Sequence, residues 1–482
     1  MKQQTIIGRK AELELLQNAY DSQESELIVV YGRRRVGKTF VVNTFFNNTY
    51  EFKLTGVYDK PTATQLERFA SAFEDYSGHT IETPENWFKA FDVLKRYLRQ
   101  LEGVERKRIF IDEMPWLDSD GSDFVAAFSD FWNGWASAEG DIILVACGSA
   151  TSWMTDKLLG DKGGLFNRAA TRMFMLPFTL KETEQYLQSK GIEWSRYDIA
   201  ECYMIMGGIP FYLKQLSARR TLAGNIDNIF FKEKGLLWDE FTHLYNTLFK
   251  QPESYISVVE ALATKRMGLT RNEIIRATKK SDNGEIGTIL ANLVNNGFVR
   301  PYCYHGNKKK DMVYQLADFY TLFYFSFIKD NYARDAHFWE NSIDLPSRRA
   351  WAGYSFEQLS MHHIEEIRRA IGISGVLCEV SQWFSKGNKD DDQQKQTRGA
   401  QIDMLIDRRD NIINICEIKF SQSEYAIDID YDAKLRNKIE TFRSETKTKK
   451  ALHLTMITTY GVKEGKYSNR VQSQVTLDDL FA

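Results

Sequence analysis

The chain has 482 residues, 43% hydrophobic and 27% charged, with a formal net charge of −2. This is ordinary globular composition, enough for roughly two to four domains. The near-neutral balance excludes binding to nucleic acid through the overall field, so any DNA contact must come from local basic patches. Five cysteines, Cys147, Cys202, Cys303, Cys378 and Cys416, lie far apart without CxxC spacing. They argue against a disulfide framework or a zinc site. No apolar run reaches the ~20 residues that cross a bilayer, and Met1 to Gln4 leads into a polar segment. The expectation is a cytoplasmic protein with no membrane partner.

The run Leu27 to Tyr31 is short, β-branched and apolar, as a buried parallel strand requires. GRRRVGKT follows at once, and Phe40 to Phe46 then has amphipathic helical spacing. Strand, GxxxxGK[ST] and helix in this order predict a phosphate-binding P-loop. Gly32 and Gly37 let the backbone curl so that its N–H groups meet phosphate oxygens, and the helix N-terminus adds partial positive charge. Lys38 is expected at the β- and γ-phosphates, and the Thr39 hydroxyl at Mg²⁺. Arg33, Arg34, Arg35, Val36 and Phe40 complete the candidate contact set, although the motif does not demand the three arginines and solvated loop charges are their simpler reading.

A second strand, Lys107 to Ile111, ends in Asp112 and Glu113. Asp112 is expected in the Mg²⁺ shell, and Glu113 as the group that orients and deprotonates the attacking water. Asp141 to Gly148 is another buried strand, ending at Ser149, which is placed near the γ-phosphate. These features predict ATP and ADP as ligands and Mg²⁺ as the metal.

Ile7-Gly8-Arg9-Lys10-Ala11-Glu12-Leu13, GRRRVGKT, FIDE, CGSATSWM, LFNRA, LPFTLKE and GGIP together resemble the archaeal-type AAA+/STAND-like ATPases. The resemblance implies that Gly8 and Arg9 lie beside the adenine and that Gly207 to Pro210 belong to a helical lid. It makes Arg168 the candidate sensor of γ-phosphate charge. Gly207 and Gly208 read equally well as a helix stop, and Arg168 as a surface ion pair.

From Tyr255 to Ala263 the spacing is helical. Thr270 with Glu273 three residues on forms a capping box before a second helix, and a third runs from about Glu285 to Asn296. Phe298 to Tyr302, a turn at His305 to Asn307, and Met312 to Leu316 read as a hairpin. Three helices and a hairpin are the order of a winged helix-turn-helix. The basic residues Arg271, Arg276, Lys279, Lys280, Arg300 and Lys308 to Lys310 would serve a DNA-contacting role. Packing or partner binding is the alternative use of such a module. Asp318 to Ile328, rich in Phe and Tyr, reads as core, and Lys329 to Ser347 as a connector.

In the last third, Glu357 sits in a helix expected over Tyr354 to Ala370. Ile402 to Asp407 and Ile412 to Lys419 are expected to pair as a hairpin, which brings Asp403 and Glu417 together across fourteen positions. Lys419, two residues on, shares the Glu417 face. Two acids and a lysine on one surface suit Mg²⁺-dependent phosphodiester chemistry. The arrangement resembles the PD-(D/E)xK nuclease superfamily. By that resemblance Asp403, Glu417 and Glu357 are metal ligands and Lys419 is the catalytic lysine. The proline that often precedes the first acid is missing here.

The expected fold class is α/β. A P-loop NTPase parallel sheet (1–178) with a helical lid (179–250) precedes a winged helix (251–330) and a restriction-endonuclease-like α/β domain (347–482). The expected function is an ATPase coupled to DNA binding and cleavage. The alternative is an ATP-dependent regulatory switch whose last domain binds nucleic acid without cutting it. A homo-oligomer is left open.

Overall fold

The computed structural model describes residues 5–149, 151–160, 171–307, 311–330, 335–387 and 399–482. Two compact units emerge. The first comprises residues 1–177, 209–211 and 291–296; the second comprises 178–208, 212–290 and 297–482.

The first unit is built on five parallel strands: β1 (Glu26–Tyr31), β2 (Phe52–Thr55), β3 (Lys107–Asp112), β4 (Ile142–Gly148) and β5 (Thr171–Phe174). Their order in the sheet is β2-β3-β4-β1-β5, and every pairing is parallel. All seven residues of β4 and the four central residues of β1 are buried. Both strands therefore lack polar–apolar alternation, as strands covered on two faces must. One covering face is strongly aromatic. The helices Trp87–Gln100 and Phe124–Gly134 bring Trp87, Phe91, Phe124 and Phe128 into one cluster with Phe52 and Phe69. Asn86 caps the first of these helices, its side chain accepting the Lys89 N–H. With this order, the β1, β3 and β4 ends lie side by side along one edge of the sheet, where α/β proteins place their ligands.

The second unit holds two sheets. Leu269–Thr270 (β6), Val299–Tyr302 (β7) and Val313–Leu316 (β8) form an antiparallel sheet ordered β6-β8-β7. It accompanies the helices Pro252–Ala263 and Arg271–Thr278, and a third helix, Gly284–Asn295, whose residues from 291 onward belong to the first unit. The expected capping box is present: Thr270 Oγ1 accepts the Glu273 N–H, and Glu273 Oε2 accepts the Thr270 N–H at 2.7 Å. A lysine bond to Lys265 and these cap bonds pull the Glu273 carboxyl down to about 2. Phe319, Tyr320, Phe323 and Phe327 are buried, so the aromatic run after β8 is core.

The other sheet is mixed, ordered β13-β12-β11-β10-β9, with β9 at Cys378–Ser385, β10 at Ala400–Arg408, β11 at Ile412–Lys419, β12 at Ala451–Thr458 and β13 at Ser473–Thr476. β10 and β11 form the expected antiparallel hairpin, Asn411 taking the left-handed turn position at φ 65°. The helix expected over Tyr354 to Ala370 is in fact two helices, Pro346–His362 and Ile364–Ala370. The break falls at His363, a buried residue whose ring accepts the Leu180 N–H at 3.2 Å through Nε2. The connector expected over Lys329 to Ser347 carries a short helix, Phe338–Asn341, sealed by the buried Trp339.

Candidate functional site

The loop after β1 contains three residues in left-handed conformation: Gly32 at φ 136°, Arg35 at φ 73° and Gly37 at φ 94°. Such alternation bends successive N–H groups into a concavity suited to an anion. Gly32 has a second constraint, because a Cβ there would meet the Met175 carbonyl oxygen at 2.4 Å. Gly32→Ala is therefore expected to lower stability by about 1–3 kcal/mol and distort the loop. Thermal unfolding with and without nucleotide checks this. An unchanged Tm with unchanged nucleotide binding would contradict it.

The helix Lys38–Phe45 begins directly after Gly37. The Lys38 ammonium is buried and donates to the carbonyl oxygens of Gly32 and Arg33, each at 2.9 Å. Burial lowers its pKa, opposed by Cys147, Glu113 and Asp112. The Thr39 hydroxyl donates to Asp112 Oδ2 at 2.9 Å. Asp112 Oδ1 accepts the Glu113 N–H at 2.9 Å. Glu113 itself is left-handed at φ 46°, and its carboxylate accepts the Ser149 hydroxyl at 2.9 and 3.1 Å. Thr39, Asp112, Glu113 and Ser149 thus form one hydrogen-bonded line across the ends of β1, β4 and β3. Hydroxyl and carboxylate oxygens at Thr39 and Asp112 are the hard donors that Mg²⁺ takes.

The remaining P-loop candidates divide. Val36 and Arg33 are buried, and Phe40 is exposed. The Arg35 guanidinium lies 4.2 Å from the centre of the Phe211 ring, a cation–π contact. Pro210 opens the short helix Pro210–Leu213. Gly8 and Arg9 are both left-handed, at φ 65° and 57°. The buried Arg9 side chain donates to the Val36 carbonyl at 3.0 Å and the Leu176 carbonyl at 2.7 Å, so it braces the loop backbone. In the second unit, Gly207 ends the helix Arg196–Met206 in left-handed conformation. Gly208 accepts from the Phe178 N–H at 2.8 Å, and a Cβ on it would strike Phe178. Arg168 and Lys308 to Lys310 lie outside the described residues.

Several basic residues read as DNA-facing have other commitments. Arg300 is buried, which lowers its pKa, and donates to Gln315 and Gln358 at 2.7 and 2.8 Å. Arg271 pairs with Asp282 at 2.7 Å. Lys280 donates to Ser254 at 2.8 Å. The sequence shows their charge but not these partners.

The second unit's own cluster is built on the β10–β11 hairpin. Register pairs Met404 with Cys416, so the next step sets Asp403 opposite Glu417. The pairing of β10 with β9 shifts between Ile402 and Leu405. That irregularity falls on Asp403, and bulges of this kind commonly re-aim side chains at sites. Asp403 Oδ2 accepts the Ile418 N–H at 3.1 Å, and Lys419 Nζ lies 3.9 Å from it and 3.6 Å from Glu417. Burial, then the Glu417 charge, raises the Asp403 carboxyl to about 6. Glu357 is raised to about 8 by burial and then by the Asp403 charge, with Lys419 opposing. Although burial disfavours the Lys419 charge, Glu417 and Asp403 hold its pKa above the usual value. Asp403, Glu417, Glu357 and Lys419 therefore share one electrostatic site. Burial and the neighbouring negative charge disfavour the anions of Asp403 and Glu357, and carboxylate oxygens are donors of the hard type that a divalent metal takes.

Two members of this cluster were not foreseen. Lys438 pairs with Glu417 Oε1, and the Tyr431 hydroxyl donates to Glu417 Oε2 at 2.9 Å. Both project from the helix Ile429–Thr446. Their spacing of seven residues marks one helix face, which is the only signal the sequence carries for them.

A curled loop joined to a buried lysine, with a threonine–carboxylate pair on the neighbouring strands, defines a P-loop nucleotide-binding class. Residues 6–216 match the model of a family described as an ATPase domain predominantly from Archaea, and this part of the chain is an ATPase domain of that type. An uncharacterized protein of Methanocaldococcus jannaschii is 25% identical over 394 residues, covering 80% of this chain and 83% of its own. Among solved structures, the chain is similar to a Walker-type ATPase of Pyrococcus abyssi, with a TM-score of 0.44 and 16% identity over 66% of this chain and 95% of that one. It is also similar to Cdc6p from Pyrobaculum aerophilum, with a TM-score of 0.31 and 12% identity over 64% of this chain and 89% of that one. No helix among the described residues is long and apolar enough to cross a membrane.

Proposed function

We propose that this chain is a Mg²⁺-dependent ATPase whose nucleotide state governs DNA binding and cleavage by its C-terminal portion. The observation that carries the ATPase part is the hydrogen-bonded line from Thr39 through Asp112 and Glu113 to Ser149, set beside the buried Lys38. In this reading Lys38 exchanges its two carbonyl partners for β- and γ-phosphate oxygens. Thr39 and Asp112 hold the metal, which neutralises phosphate charge when bound. Glu113 orients and deprotonates water, and Ser149 keeps its carboxylate in place. Gly8 and Arg9 on the adenine side, and Pro210 in a lid, follow from the same reading.

The domain scheme of core, lid (179–250), winged helix (251–330) and nuclease-like domain (347–482) belongs to the proposal too. The helices and three-stranded sheet of 252–316 support the winged-helix part. Convergence of Asp403, Glu417, Glu357 and Lys419 supports the nuclease part, with the acids as metal ligands and Lys419 positioning water. Lys419→Ala is expected to abolish cleavage of DNA in Mg²⁺ or Mn²⁺ while ATP turnover stays at the wild-type rate. Cutting that persists in the variant would overturn the assignment.

One observation favours the alternative switch. Both Glu417 oxygens are taken by Lys438 and Tyr431, an arrangement that also suits a binding surface without metal. A slow ATPase that cuts DNA under no condition, with or without ATP, would select this reading.

A further inference from the structure

The second unit carries an open pocket of about 940 Å³ that the nucleotide and carboxylate sites do not use. Its lining residues include the aromatics Trp194, Tyr197 and Phe420, the exposed arginines Arg219, Arg220 and Arg349, and the acids Asp198, Glu201 and Asp344. The aromatic wall is ordered. Tyr197 stacks on Phe420 at 4.7 Å between ring centres and 20° between planes, and on Tyr460 at 6.3 Å and 3°. Trp194 is half-buried and adds a further ring surface to the lining.

Charge in the lining is unevenly satisfied. Arg348 is spent on Glu201 at 2.6 Å and on the Trp339 carbonyl at 2.6 Å. Asp198 accepts the Ser195 hydroxyl at 2.6 Å. Arg349 has a backbone partner, the Asp344 carbonyl at 3.0 Å, and Arg219 and Arg220 have no carboxylate partner among the described residues. Four arginines and three acids, Asp198, Glu201 and Asp344, thus line a pocket with stacked rings, which leaves it with a small positive excess that falls on Arg219 and Arg220. Arginine forks match phosphate geometry, and aromatic faces accept any base. The volume suits a ligand of one or two nucleotides. Moreover Phe420, Ser421 and Gln422 line the cavity and directly follow Lys419 in the chain.

We propose that this cavity binds a single-stranded segment of nucleic acid, bases against the aromatic wall and phosphates on Arg219, Arg220 and Arg349. It would hold the strand whose neighbouring phosphodiester enters the carboxylate cluster. The second statement rests on the nuclease reading; the binding itself does not. Stacking on aromatic faces makes the binding tolerant of sequence.

The test is fluorescence anisotropy of the full-length protein with a labelled oligothymidylate, in EDTA so that no cleavage intervenes. Trp194→Ala is expected to weaken binding roughly five- to a hundredfold, the range for loss of one stacked base. Arg219→Glu with Arg220→Glu should weaken it at least tenfold and flatten the salt dependence by about 0.7 in log–log slope per lost phosphate contact. The pair of lysine replacements, R219K with R220K, should restore most of the affinity. Wild-type melting behaviour and ATP binding in each variant establish that the fold is intact. Oligonucleotide affinity unchanged in both variants overturns the proposal, as does equal competition by free thymidine monophosphate. Variant-sensitive oligonucleotide binding by a protein that never cuts would retain the cavity and remove the nuclease.

Discussion

Lys38→Ala is expected to reduce affinity for Mg–ATP by a factor of roughly 30 or more, the scale of removing one partner from a buried charged pair, about 2–5 kcal/mol. The reason lies in where the ammonium sits. It is buried with only two carbonyl oxygens as hydrogen-bond partners, and desolvation already weighs against its charge. A doubly charged phosphate group compensates that cost far better than two neutral carbonyls. The same argument predicts the unliganded protein's behaviour. Removing a buried charge that is poorly compensated should leave its melting temperature unchanged or raised, so lost binding cannot be ascribed to unfolding. Calorimetric titration of both proteins with Mg–ATP, alongside their thermal unfolding, reads both quantities.

Glu113→Gln is expected to separate binding from turnover. A general base contributes about 10²–10⁴-fold to such a step, so hydrolysis should fall by that factor while Mg–ATP affinity stays within a few-fold of wild type. Glutamine keeps the side-chain volume and can still accept the Ser149 hydroxyl through its carbonyl oxygen. It cannot take a proton from water. The left-handed backbone at Glu113 is already present in the native chain, so the exchange adds no new strain. Steady-state phosphate release and nucleotide binding measured on the same preparation check the prediction. Equal loss of binding and turnover would instead make Glu113 part of the metal shell.

Local chemistry made the nucleotide site legible in the sequence. The glycines, the lysine and the threonine fall within eight residues, and the apolar runs that become β3 and β4 lead into Asp112–Glu113 and Ser149. Strand order is another matter. Nothing local says that β4 lies between β1 and β3, yet this insertion brings Ser149 to Glu113. Arg9 shows the opposite limit: the family resemblance implies a ligand contact, whereas its side chain donates to Glu12 and to backbone carbonyls 27 and 167 residues away. In the C-terminal sheet, two apolar runs on either side of the turn at Arg408 to Asn411 sufficed to expect a hairpin on which Asp403 and Glu417 converge. Lys438 and Tyr431 stayed hidden because their helix docks from more than a dozen residues further on, and no motif marks a docking face. Arg300 likewise reads as a surface charge until the glutamines beside it are seen.

The most direct measurement is calorimetric titration of the purified protein with ATP in the presence and absence of Mg²⁺. Saturable heat at one site per chain, markedly tighter with the metal and lost in Lys38→Ala, is the predicted result. A flat titration under both conditions, with no rise in melting temperature on adding nucleotide, would contradict a phosphate-cradling loop at Gly32 to Thr39.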